Sequence, residues 1–178
     1  MSHTMSRTTR IRVVVCVLLC WCGWRATVVL LHDHLIINVT ESMPLGVYRR
    51  HPLTALKTGD LVALTPPAPV AALVYGRRYI PRDAELVKHI LAAEGDVWCA
   101  TPGQGFTINN TRAGDVSVND SQGALLPLWS PSCHRVAPGF VLVGSHAPRS
   151  FDSRYFGPVP LTTLTSKVAP LWLWTSMP

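Results

Sequence analysis

From Val13 to Leu31 the chain carries a single charge, Arg25, in an otherwise mostly apolar run. Counted from Ile11, the run is about long enough to cross the hydrocarbon core of a bilayer as one helix. Arg25 lies towards its far end, where a long side chain can snorkel to the headgroups. The leader holds Arg7, Arg10 and Arg12 and no acid, which keeps an N-terminus on the cytoplasmic side. We therefore expect residues 1–12 to be a cytoplasmic basic leader and 13–31 a transmembrane anchor or signal segment. Residues 32–178 would lie outside the cytoplasm. A cleaved signal peptide shares this layout, but no small-x-small cleavage site follows, which favours a retained anchor. Leu19 before Cys20 argues against a lipoprotein.

The exported part is long enough for one compact domain. Its Pro and Gly residues are frequent and scattered, and charged residues are few. Gly46–Tyr48, Leu61–Leu64, Glu85–Ala92, Val97–Cys99, Phe106–Ile108, Val116–Val118, Phe140–Val143 and Val168–Trp174 read as short strands between turns. Ala71–Val74 reads as a short helix or strand. Such spacing predicts a mainly β domain, a folded sheet or partial barrel. The net charge of +6 is spread over single sites and the pairs Arg49-Arg50 and Arg77-Arg78. No basic face or aromatic-basic alternation accompanies it, so nucleic acid is not an expected partner and anionic lipid is.

Of five cysteines, Cys16, Cys20 and Cys22 fall in the apolar run and act as small hydrophobes. Cys99 and Cys133 remain in the exported part. Two thiols in an oxidising compartment predict a disulfide, closing a loop of about 35 residues. His32-Asp-His34 lacks a third and fourth ligand, so no metal site is expected.

The chemistry centres on Asn38-Val-Thr-Glu-Ser-Met-Pro-Leu-Gly-Val-Tyr48. A serine there needs a base to take its proton. Lys88 sits in the apolar strand Leu86-Val-Lys-His-Ile-Leu91, and burial lowers a lysine's affinity for its proton. An edge-strand lysine that deters aggregation is the bland alternative. On alternating geometry Lys88 shares a face with Leu86 and Ile90, and His89 lies on the other. Ser150-Phe-Asp-Ser-Arg-Tyr-Phe-Gly157 supplies hydroxyls and an ion pair. The closing Thr175-Ser-Met-Pro178 repeats a Ser-Met-Pro string, with no domain after it to build a site around Ser176.

In this order the three segments resemble those of type I signal peptidases, and most resemble the conjugative-transfer peptidases of the TraF type. The likeness covers roughly residues 10–174 and implies a signal-peptidase-like sheet behind a transmembrane helix. It implies Ser42 as nucleophile and Lys88 as general base. Thr40 and the Ser42 N–H would form the oxyanion hole, and Ser150 would orient the lysine. Asp152, treated as essential in TraF-type members, and Arg154 would form an ion pair behind the site. No cofactor is implied. The chain departs from the signal peptidase pattern at Gly144-Ser-His-Ala-Pro148 and at Glu94, which suits a specialised enzyme.

The resemblance implies a membrane-anchored serine endopeptidase of the bacterial inner membrane, its catalytic domain in the periplasm. It would mature, and by ring closure cyclise, an exported pilin-like precursor for conjugative plasmid transfer. Mating-pair or type IV secretion components are further expected partners. The alternatives are a general type I signal peptidase, a non-catalytic scaffold of a secretion or conjugation complex, and a Ser-His hydrolase using His89 or His146.

Overall fold

The computed structural model describes residues 6–101 and 105–174, without the side chains of residues 28–30, 32 and 69. The second Ser-Met-Pro string and the His32 ring therefore lie outside it. The chain divides into two compact units, residues 1–35 and 36–178.

The first unit is one helix, α1, Arg7–His34, opened by Ser6, whose hydroxyl accepts from the Thr9 N–H. The expected segment is helical throughout, and Val17, Leu19, Trp21 and Trp24 are exposed along it. Among the described residues no helix is long and apolar enough to cross a membrane. Residues 28–30, which extend the apolar run, lie outside the described side chains.

The second unit is mainly β, as expected. Its strands are β1 (Leu35–Asn38), β2 (Gly46–His51), β3 (Leu61–Leu64), β4 (Leu86–Ala92), β5 (Val97–Thr101) and β6 (Gly105–Ile108). They continue as β7 (Thr111–Gly114), β8 (Ser132–Arg135), β9 (Phe140–Gly144), β10 (Val159–Pro160) and β11 (Leu164–Leu173). Two short helices interrupt them, α2 (Ala68–Gly76) and α3 (Ser153–Phe156). A seven-stranded sheet runs β1-β2-β11-β3-β4-β9-β10, and a four-stranded sheet runs β7-β6-β5-β8. The order leaves β4 in the interior of the larger sheet, between β3 and β9. Its apolar residues reach two cores. Leu86 and Ile90 pack with Val62, Leu64 and Val143, whereas Val87 packs with Met43, Tyr48 and Ala63.

Of its two expected forms Ala71–Val74 takes the helix: it lies inside α2, which begins just after Pro67, with a proline in the first turn, where no N–H is needed. One expectation changes. Val116–Val118 is not a strand; β7 precedes it. Val116 is buried in the second core, but the Ser117 N–H bonds the Tyr155 hydroxyl and the Val118 carbonyl takes Leu126 N–H. Of the two valines only Val116 is buried; Val118 is exposed, and the segment joins no ladder.

The expected disulfide is present: Cys99 and Cys133 face each other across β5 and β8, 34 residues apart in sequence. Replacing both with alanine is expected to cost about 3–4 kcal/mol from loop entropy alone. Urea unfolding of the oxidised protein against the double variant measures it, and a difference under about 1 kcal/mol would contradict the loop account.

Candidate active site

The segment between β1 and β2 is a short turn carrying Ser42. Asn38, at the end of β1 and 5 % exposed, shapes it. Its Nδ2 donates to the carbonyls of Thr40, Met43 and Pro44 at 2.9–3.0 Å. Its Oδ1 accepts from the Thr40 N–H and the Thr40 hydroxyl. Tyr48, fully buried, donates its hydroxyl to the Pro44 carbonyl at 2.7 Å. One buried amide and one phenol thus replace the backbone ladder that a turn lacks.

Lys88 is 1 % exposed, and its Nζ lies 2.6 Å from Ser42 Oγ and 2.8 Å from Ser150 Oγ. The three residues are far apart in sequence, and the sheet brings them together. Burial lowers the Lys88 pKa to about 8; the field of Asp152 opposes that shift and the field of Arg154 adds to it. A lysine with so low a pKa is neutral for about a tenth of the time at pH 7, and neutral it has a lone pair for a hydroxyl proton. The interior position of β4 removes the edge-lysine alternative. His89 is half-buried, with its ring nitrogen 3.1 Å from the Gly59 carbonyl oxygen, and its ring centre is 6.2 Å from that of His146. Among the described residues the polar side chains within hydrogen-bonding reach of Ser42 are Lys88 and Thr40, not a histidine.

Thr40 Oγ1 lies 3.4 Å from Ser42 Oγ and 2.9 Å from Asn38 Oδ1. Its proton points to Asn38 here, so donation to a reacting oxygen requires rotation of the hydroxyl. The Ser42 N–H makes no hydrogen bond among the described residues.

Behind Lys88 stands a buried pair. Asp152 is 0 % and Arg154 2 % exposed. Arg154 Nε and Nη2 each donate to one carboxylate oxygen of Asp152 at 2.8 Å. Asp152 also accepts from the backbone N–H groups of Ser145 and Arg154. Arg154 Nη2 reaches the Ser145 and Ala147 carbonyls, and Nη1 reaches the Asp115 carbonyl. The pair joins the residues after β9 to the start of α3, immediately beyond Ser150. Asp152 acts on Lys88 through its field. Gly144 permits the approach: a Cβ there would stand 2.5 Å from the Leu91 side chain and 3.0 Å from Asp152 Oδ2.

Ser42, Lys88, Thr40, Ser150, Asp152 and Arg154 lie together here, Cys99 and Cys133 form the disulfide, and His89 and His146 lie outside the Ser42 contacts. Asn38 was read only as part of a motif; its carboxamide is the organiser of the turn. A buried-turn Asn two residues before a hydroxyl residue is a detectable Asx signal. Tyr75, Arg78, Tyr79 and Arg82, which line a pocket with Thr40, were not singled out. Tyr75 lies near the end of the apolar helix α2, and Arg78, Tyr79 and Arg82 belong to the connection that follows, which has no periodicity.

A family model described as signal peptidase, peptidase S26, matches residues 7–174. Proteins named Conjugal transfer protein TraF from Agrobacterium fabrum (strain C58 / ATCC 33970) and Agrobacterium tumefaciens (strain 15955) are 32% and 35% identical to this chain. Each match covers 76% of this chain and 81% of the relative. A Plasmid transfer protein TraF from Escherichia coli is 28% identical over 78% of this chain and 82% of its own. A crystal structure of a signal peptidase I from Enterococcus faecalis V583 overlaps 65% of this chain and 98% of its own, at 19% identity and a TM-score of 0.40.

Proposed function

We propose that this chain, which belongs to the signal peptidase, peptidase S26 family, uses a Ser42–Lys88 dyad to mature a pilin-like precursor for conjugative plasmid transfer. The observation that carries this reading is the 2.6 Å approach of a buried amine to the Ser42 hydroxyl. The names of the TraF relatives support the conjugative setting.

Neutral Lys88 takes the Ser42 proton as Oγ attacks the scissile carbonyl carbon. The Ser42 N–H and the rotated Thr40 hydroxyl donate to the resulting oxyanion, a contribution of several kcal/mol. The ammonium then returns the proton to the departing amine, leaving an acyl-enzyme on Ser42. Water, deprotonated by Lys88, releases the acid. If the precursor's own N-terminal amine attacks instead, the product is a ring. Ser150 holds the lysine nitrogen towards Ser42, and Asp152 with Arg154 supports that placement.

Residues 1–12 serve as leader, 13–31 as anchor or signal segment and 32–178 as a periplasmic catalytic domain at the inner membrane. The disulfide favours an oxidising compartment. Leu171, Trp172 and Trp174 on and just beyond the end of β11, and Ile37 and Val39 by the serine turn, are exposed. Trp172 faces Val47 of β2, and the Trp174 N–H bonds the Leu45 carbonyl, so this end of the sheet adjoins the turn. Such aromatic and aliphatic groups suit a lipid surface, on which an exported precursor and mating-pair or secretion components would meet the enzyme.

The family match favours one alternative, removal of leader peptides as a general signal peptidase. Co-expression with a candidate pilin precursor and intact-mass analysis separates the readings. A processed chain one water lighter than its linear form indicates cyclisation, and the linear mass indicates hydrolysis. Ser42→Ala is expected to leave the precursor uncut. Full processing by that variant would remove Ser42 as the nucleophile.

A further inference from the structure

Beside the serine turn lies a pocket of about 530 Å³, lined among others by Val39, Thr40, Tyr75, Arg78, Tyr79 and Arg82. Thr40 belongs to both the pocket and the Ser42 site, its hydroxyl 3.4 Å from Ser42 Oγ. The opening therefore adjoins the Ser42 site. The lining contains two cations and no anion. The nearby Glu85 is already paired with Arg50, and Asp83 is not part of the lining. Among the described residues neither Arg78 nor Arg82 makes a side-chain hydrogen bond or ion pair.

One wall is tied to the turn at Asp120. Tyr79 donates its hydroxyl to Asp120 Oδ2 at 2.5 Å, and Arg77 donates to the same oxygen at 3.0 Å. Arg77 also reaches the Leu125 carbonyl. Asp120 is locked in its own turn by the N–H groups of Gln122 and Ala124. The Tyr79 hydrogen bond, with these N–H groups and Arg77, pulls the Asp120 pKa down to about 2, so the tie persists across any working pH. Arg77 is thus consumed in holding the wall, while Arg78 and Arg82 remain for a ligand.

We propose that this pocket is a substrate subsite that recognises a carboxylate of the precursor through Arg78 and Arg82, with the Tyr75 and Tyr79 rings packing on the adjoining aliphatic part. Arginine pairs with carboxylate through directional, charge-assisted hydrogen bonds, and a ring face or edge beside it tolerates the methylenes of a side chain. The carboxylate is either an acidic side chain near the scissile bond or the precursor's own C-terminus. The inference rests on the peptidase reading above and adds a specificity to it.

The test uses the full chain in detergent micelles and synthetic peptides of Ala and Ser. A single Glu, or Gln in its place, is scanned through the positions flanking the scissile bond. A second set carries a free C-terminal acid or an amide. The expected result is one position, or the free terminus, at which the carboxylate raises kcat/KM about tenfold over its amide counterpart, chiefly through KM. In Arg78→Ala/Arg82→Ala that ratio falls towards one, and in Arg78→Glu/Arg82→Glu it inverts. Binding of the same peptides to Ser42→Ala, read by fluorescence anisotropy, gives the same ratio in Kd without turnover. The scanned set separates a side chain from a chain end. Equal use of acid and amide at every position and at the terminus, or a preference untouched by both double variants, overturns the subsite. Turnover of peptides by Ser42→Ala would instead overturn the peptidase reading.

Discussion

Lys88→Met is expected to lower kcat/KM for precursor processing by about 1,000-fold or more, without lowering the urea midpoint of unfolding. A serine hydroxyl without a base is a poor nucleophile, and nucleophile and base act as a unit, so either loss removes most of the chemistry. Stability should behave differently. The amine is buried, and burial holds its pKa at about 8. Below that pH the folded protein carries an ammonium that burial disfavours, and methionine of similar length removes it. A parallel collapse of activity and midpoint would show Lys88 to be structural.

The pH dependence of the wild type follows with its sign. The rate through the dyad should rise tenfold per pH unit up to about pH 8 and level off above it, as Lys88 loses its proton. Because the folded pKa lies below the unfolded one, the unfolded chain binds more protons between pH 8 and the ordinary lysine range. Stability from this group therefore increases with pH across that window. A flat profile through pH 7–9 would remove Lys88 as the base.

Arg154→Met is expected to destabilise the protein by about 3–5 kcal/mol, the largest stability loss anticipated here. It strips Asp152 of two charge-assisted hydrogen bonds at a site of 0 % exposure and leaves the Ser145, Ala147 and Asp115 carbonyls short of a donor. Removing both charges should cost less than the sum. In Asp152→Leu/Arg154→Met no unpaired charge is left, although the Ser145 and Arg154 N–H groups lose their acceptor. A double-mutant cycle by urea unfolding gives the interaction directly. An additive cycle would mean that the pair contributes nothing as a pair. The surviving fraction of Arg154→Met should also process precursor more slowly, because this pair anchors the segment that presents Ser150 to Lys88.

Several features were legible because their causes are local. The short apolar run Leu86–Ala92, closed by the turn at Gly95-Asp96, read as a strand wherever it was placed. Asn38–Tyr48 carries its own turn chemistry, with Pro44 and Gly46 limiting the backbone and Asn38 able to satisfy it. Cys99 and Cys133 paired by elimination once three cysteines fell in the apolar run. Other features were not legible. β8 is a short, largely exposed strand with little apolar signal, and β10 has two residues. Val116–Val118 has the apolar content of a strand, but the Tyr155 hydroxyl and Leu126 N–H take its backbone groups. Val168–Trp174 reads as one strand, but nothing in the run says which residues are covered: Val168 is buried, and Leu171, Trp172 and Trp174 are exposed.

Residue chemistry along the chain determined which groups could react: one serine in a turn of fixed shape, one lysine among aliphatics, and a buried-type acid and arginine two residues apart. Only the tertiary structure decided that the serine and lysine meet. Side-chain alternation says which residues share a face, but nothing in it says that β4 lies between β3 and β9 with the Ser42 turn over it. That ordering depends on burial summed over many distant residues, and it alone keeps water from the amine and lowers its hold on a proton.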